Sequence, residues 1–177
     1  RPSLPAVEAD AAQIQQVVMN LVTNASDAIG DTEGVITLTT DLQELDQEFL
    51  ARHLPSQTIR PGRYVVLEAS DTGCGMSPEV MARIFDPFFS TKATGRGLGL
   101  SAMLGILRGH GAGIQIVSQP GFGTTFRLYF PVSPEPPRQR EDVPGLRVHQ
   151  FSGLSLVVDD EDALRETAAA ALRTMGF

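Results

Sequence analysis

Residues 11–30, AAQIQQVVMNLVTNASDAIG, decide how the chain is read. Ile14, Val18, Leu21, Ala25 and Ile29 recur at steps of three and four, the spacing of one helix face. Asp10 with Gln13 three places later fits a capping box, and Gly30 fits a C-terminal stop, so the spacing predicts a helix over 10–29. At about 100° per residue, Gln13, Gln16, Thr23, Asn24 and Asp27 cluster around Asn20, away from the apolar set. That stripe contains no Lys and no Glu, the good helix formers that usually build a face meant only for water. Asn20 and Asn24, one turn apart, put two amide oxygens on one side, and oxygen ligands on a rigid element suit Mg²⁺ carried in by phosphates. A solvated polar face, or amides capping nearby backbone, is the alternative that the helix alone leaves open.

Downstream, β-branched VITLTT (35–40) and RYVVLEAS (63–70) read as strands. The polar segment 41–61 between them reads as a loop with a short helix around 44–53. A short helix is expected over 78–85 with Pro78 at its first position, and another over 98–108 stopping at Gly109. Strands over 113–118 and 123–130 flank Pro120-Gly121, a hairpin signal.

Two glycine-rich loops punctuate this pattern. In DTGCG (71–75), Asp71 stands where a strand ends, and Gly73 and Gly75 let the backbone turn back. An ionised carboxylate only accepts hydrogen bonds, which suits an exocyclic amine such as adenine N6, although an ordinary Asp-led turn has the same residues. In GRGLGL (95–100), Gly95, Gly97 and Gly99 allow backbone N–H groups to approach phosphate oxygens at the positive end of a helix. Lys92 and Arg96 are the nearby cations. The loop lacks the GxxxxGK[ST] pattern, and a flexible loop without ligand is its other reading.

Composition narrows the class. The 177 residues are 42% hydrophobic and 20% charged, as in a globular domain with a small addition. The formal net charge of −7 disfavours nucleic acid and anionic membrane surfaces as partners. One cysteine excludes an internal disulfide and any multi-cysteine metal site. No apolar run approaches the roughly 20 residues that span a bilayer. The first residue is Arg1 and no signal-peptide pattern follows, so the chain reads as a piece of a longer protein. Residues 131–150, with Pro131, Pro134, Pro136, Pro137 and Pro144, read as a stiff linker. LSLVV (154–158) then reads as a buried strand and 162–174 as a helix, a β–α unit too small to fold alone.

The order of the pieces carries a resemblance. NLVTNASDA (20–28), DTGCG (71–75), IFDPFFSTK (84–92), GRGLGL (95–100) and GFGTTF (121–126) resemble the N, G1, F, G2 and G3 boxes of the catalytic ATP-binding domain of bacterial sensor histidine kinases. That domain belongs to the superfamily shared with DNA gyrase B, the heat-shock chaperone ATPases and MutL. The resemblance implies an α/β (α+β) two-layer sandwich, a mixed sheet with about three helices on one face, over residues 1–131. It implies ATP and Mg²⁺ as cofactors. Asn24 would be the Mg²⁺ ligand with Asn20 assisting, and Asp27 would stand beside them. Asp71 would hold adenine N6, with Gly73 and Gly75 shaping the purine pocket and Thr124 beside Asp71. Gly95, Gly97, Leu98, Gly99 and Leu100 would line the phosphates under a mobile lid that contains Lys92 and Arg96 and is short for the family. Phe85, Phe88 and Phe89 would anchor that lid or simply pack in the core.

Residues 151–177 resemble the start of a response-regulator receiver domain, with Asp159 and Asp160 where that family keeps its acidic pair. With 132–150 as linker, this suggests a hybrid kinase. Its expected partners are the dimerisation and histidine-phosphotransfer domain of the same protein and a receiver domain, in cis or separate. The full-length protein is expected to be a homodimer. The domain is expected to be cytoplasmic, with an anchor elsewhere in the full-length protein left open.

The histidine acceptor of such a kinase stands on a separate helical hairpin. None of His53, His110 or His149 lies in an H-E-x-x-x-P context, so this chain is expected to bind ATP without phosphorylating itself. In the superfamily's ATPases a Glu four residues before the metal-binding Asn acts as base on water. Here Asn20 holds that place, and an amide cannot take a proton at neutral pH, so hydrolysis is expected to be very slow. Two further readings remain: a nucleotide-binding scaffold without transfer activity, and an ATPase of the gyrase and chaperone branch.

Overall fold

The structure is a computed structural model that describes residues 4–55, 57–91, 97–135, 169, 170 and 173. The chain divides into two units, Arg1–Pro137 and Arg138–Phe177. In the second, Ala169, Ala170 and Arg173 are helical, within the helix expected over 162–174. The expected strand 154–158, the Asp159-Asp160 pair and most of the linker lie outside the described residues.

The first unit runs α1 (Ala11–Ile29), β1 (Ile36–Leu45), α2 (Gln47–His53), β2 (Gly62–Asp71), α3 (Pro78–Met81), α4 (Gly99–Gly109), β3 (Gly113–Ser118) and β4 (Thr124–Pro131). Asp10 caps α1: its Oδ1 accepts from the N–H groups of Ala12 and Gln13. The reciprocal half of the expected capping box is made elsewhere. The Asp10 N–H donates to His110 Nε2 at 3.1 Å, and His110 Nδ1 lies 2.7 Å from the Ile106 carbonyl. Nδ1 therefore carries the hydrogen, and the ring ties the start of α1 to the end of α4. Gly30 ends α1 with φ 65°.

The four strands lie in the order β1-β2-β4-β3, and every pairing is antiparallel, which corrects the expected mixed sheet. β2 and β3 do run in the same direction, joined by the α3–α4 crossover. The hairpin returns β4 between them, so no parallel ladder forms among the described residues. β1 extends to Leu45, beyond the 35–40 read from sequence.

Side chains alternate across the sheet. One face carries the row Val65–Phe130, Leu67–Leu128, Ala69–Phe126 and Asp71–Thr124. Val17 and Leu21 of α1, Ile84, and Met103 and Leu107 of α4 bury against this face, with Val80 of α3 packed alongside. Three helices thus cover one face, as expected. Val17, absent from the expected stripe, is the fully buried residue of α1, whereas Val18 is only half-buried. The opposite face carries a smaller cluster, in which Leu50 of α2 and Leu54 pack on Leu45, Tyr64, Val66 and Tyr129. The segment after α2 also closes the sheet edge. Gln57 donates to the Ile114 carbonyl and accepts from the Ile114 N–H, so its amide substitutes for a missing strand on β3.

Candidate nucleotide-binding site

The main core row ends in polar residues. Asp71 and Thr124 are directly opposite across β2 and β4, and both are buried, 7% and 5% exposed. A buried polar pair at the end of an apolar row is the informative exception in a core and marks a candidate binding position. Asp71 Oδ1 accepts the Gly73 N–H at 2.8 Å, which turns the chain straight out of β2.

That turn packs against the last residues of α1. The Cys74 N–H donates to the Ala28 carbonyl at 2.8 Å, and a Cβ on Gly73 would stand 2.6 Å from that same oxygen. Only a residue without a side chain lets the loop lie this close. Gly123, with φ 81°, meets the same limit from the other side, since a Cβ there would collide with the Asp71 carbonyl. The Cys74 carbonyl accepts the Gly121 N–H, which joins the loop after β2 to the β3–β4 hairpin. Cys74 itself is exposed.

The helix stripe faces the start of α4. Asn20 Nδ2 donates to the Gly99 carbonyl at 3.1 Å, so the first of the two amides meets the second glycine loop where its helix begins. α4 has no side-chain N-cap. Asn24 is half-buried and Asp27 exposed on the same helix, each with an interaction of its own. Leu98 is exposed, whereas the Leu100 side chain packs on the main core. Gly97 lies against the turn after Ile84, where the Phe88 N–H donates to the Gly97 carbonyl. The three phenylalanines divide: Phe85 packs on the core, Phe89 lies under Arg83, and Phe88 is 78% exposed with φ 66°. Core packing therefore does not account for Phe88. Lys92, Gly95, Arg96 and the expected short lid lie outside the described residues.

The donor set fits the expected cofactors. Among the described residues no group of three His, Cys, Asp or Glu side chains could hold a metal alone. An ion here would take amide oxygens from Asn24 and Asn20 and complete its shell with phosphate and water, the habit of Mg²⁺. His53 contacts Gln115 and stacks on Phe49, and His110 is used between helices. A groove of about 390 Å³ on the opposite face, over Val66 and lined by Thr39, Asp41, Gln43, Glu68 and Arg127, shares no residue with this site.

Sequence reasoning missed Ser118 and Gly123. Gly123 stood in a quoted box without a role. Ser118 has no local signal, because its importance comes from strand register alone.

Residues 9–134 match the family described as histidine kinase-, DNA gyrase B- and HSP90-like ATPase. The sensor kinase CckA of Brucella abortus (strain 2308) is 36% identical over 182 residues, covering 97% of this chain and 19% of CckA. The sensor histidine kinase ZraS of Escherichia coli (strain K12) is 37% identical over 131 residues, covering 74% of this chain and 24% of ZraS. The chain thus spans about a fifth to a quarter of the length of these curated relatives. The catalytic domain of histidine kinase ThkA superposes with a TM-score of 0.53 at 31% identity, covering 71% of this chain and 70% of that one. With these likenesses added to the helix amides, the glycine loops and the sheet they share, the chain belongs to the histidine kinase-, DNA gyrase B- and HSP90-like ATPase family, as a catalytic ATP-binding domain of the sensor histidine kinase type.

Proposed function

We propose that residues 1–131 hold Mg-ATP with its adenine at Asp71 and Thr124 and its phosphates at the start of α4. The γ-phosphate passes to a histidine on a dimerisation domain outside this chain. The observation that carries the reading is the Asn20–Gly99 hydrogen bond, which brings the amide stripe of α1 to the glycine-led start of α4. Bound Mg²⁺ would screen the phosphate charge, with Asn24 as ligand and Asn20 assisting.

The rest of the work falls to this chain's own groups. Phosphoryl transfer is mostly positioning and charge stabilisation. Gly97, Leu98, Gly99 and Leu100 offer backbone N–H groups at the positive end of α4, and Gly95 belongs to the same glycine-rich stretch of sequence. Lys92 and Arg96 supply cations. Asp27 supports the metal end, and Gly73 and Gly75 leave room for the purine plane. Asn20 cannot deprotonate water, so the γ-phosphate waits for a histidine. Residues 151–177 are read as the opening of a receiver domain. The helical Ala169, Ala170 and Arg173 support this, as does the CckA likeness, which extends over 97% of the chain. The domain would then be the cytoplasmic part of a hybrid kinase, working as a homodimer with its receiver in cis or separate.

Asn24→Ala and Asp71→Asn test the assignment. Asn24→Ala is expected to abolish the Mg²⁺-dependent part of ATP affinity and transfer to a separately supplied histidine hairpin. Asp71→Asn is expected to weaken ATP by roughly 10- to 100-fold, the range for a hydrogen bond to a charged group. Both variants binding and transferring like the parent would refute the site. A parent that binds Mg-ATP and never transfers would favour the scaffold reading. Fast ATP hydrolysis would favour the ATPase reading.

A further inference from the structure

Ser118 closes β3, opposite Thr124 in the hairpin register. Its Oγ lies 2.8 Å from the Met76 N–H nitrogen, 3.1 Å from the Gly123 carbonyl oxygen and 2.9 Å from Thr124 Oγ1. A serine hydroxyl has one hydrogen and two lone pairs. The Met76 N–H only donates, so it takes a lone pair. The Gly123 carbonyl only accepts, so it takes the hydrogen. One lone pair remains, and Thr124 satisfies it by donating. This is the single arrangement in which all three contacts are hydrogen bonds.

The Thr124 hydrogen is therefore turned back toward Ser118, and Thr124 offers lone pairs to its other side. Across the strand pair stands Asp71, whose carboxylate also only accepts. The floor of the cleft is then built of acceptors alone. We propose that Ser118 is a positioning residue for base selection. By fixing the direction of the Thr124 hydroxyl, it makes the cleft complementary to a purine bearing an amine at position 6 and hostile to a 6-oxo purine. This rests on reading Asp71 and Thr124 as the base site.

A 6-amino group brings two N–H hydrogens to two acceptors. A 6-oxo group brings an oxygen to the same acceptors, so both amine hydrogen bonds are lost, the 6-oxo oxygen stays unpaired, and only the ring N1–H is left to donate to one acceptor. A freely turning Thr124 hydroxyl would relieve this by donating to the 6-oxo oxygen. Ser118 removes that freedom.

The test is the ratio of Kd for Mg-ITP to Kd for Mg-ATP, measured by calorimetry on the whole chain. Ser118→Ala is expected to lower this ratio about tenfold, equivalent to about 1.4 kcal/mol. Ser118→Thr keeps a hydroxyl and is expected to hold the parental ratio. Ser118→Ala combined with Thr124→Val is expected to match Thr124→Val alone, because Ser118 acts through Thr124. A fall in affinity for ATP and ITP by the same factor in Ser118→Ala would make the residue a mere loop brace and overturn the proposal. If Ser118→Ala fails to fold, Thr124→Val decides: it must lower the ratio, and an unchanged ratio overturns the proposal. A parent that binds ATP and ITP equally sinks the proposal while the nucleotide site stands. A parent that binds neither sinks both.

Discussion

Tyr129 shows how one side chain ties the sheet to solution conditions. It is fully buried on the α2 face, and its hydroxyl donates to Gln115 Oε1 at 2.9 Å. Burial pushes its phenol above the ordinary range, while Arg127 pulls it down and Glu68 pushes it up again. The folded state therefore holds this proton more tightly than the unfolded chain does. Its stabilisation is complete below the ordinary tyrosine value near 10 and is lost as pH rises through the raised folded value. Unfolding free energy should fall more steeply above pH 10 in the parent than in Tyr129→Phe, by at most about 1.4 kcal/mol per pH unit, and the melting temperature should follow it. Parallel alkaline curves would contradict the assignment. The variant should also cost about 1 kcal/mol at neutral pH for the lost hydrogen bond.

At the scale of elements, α1 matters most, because it carries both the amides of the site and the centre of the core. Asp10 satisfies two N–H groups at its start. Asp10→Ala should cost about 1 kcal/mol, read as a drop of roughly 2–5 °C in a thermal melt, and Asp10→Asn clearly less. Equal effects would mean that the cap acts by charge alone. α1, α4 and the hairpin were legible because their signals are local: a cap, a glycine stop, a Pro-Gly turn. The extension of β1 to Leu45 was not. Its residues Thr39, Asp41 and Gln43 are polar because β1 is an edge strand, and edge strands lack the apolar pattern that announces a strand. The place of α2 was hidden for a related reason. Seven residues with one buried leucine do not say which sheet face they cover. The second role of Asp10, donating its N–H to His110 Nε2, joins residues 100 apart and has no trace in spacing.

For the whole molecule, the account requires that one cleft be assembled from three distant stretches. Antiparallel pairing sets Asp71 beside Thr124, the turn after β2 locks onto Ala28, and Asn20 meets Gly99. The chemistry of each piece stayed open when read alone, and only the five boxes in one order made it specific. Their convergence was expected only from the family resemblance and not from spacing, because the order β1-β2-β4-β3 comes from tertiary pairing. The most direct test is a crystal structure of this chain with Mg²⁺ and a non-hydrolysable ATP analogue. The account predicts the adenine amine within hydrogen-bonding distance of Asp71, the phosphates at the start of α4, and the ion against the Asn24 amide oxygen. A nucleotide bound elsewhere, or an ion that touches neither Asn24 nor Asn20, would contradict it.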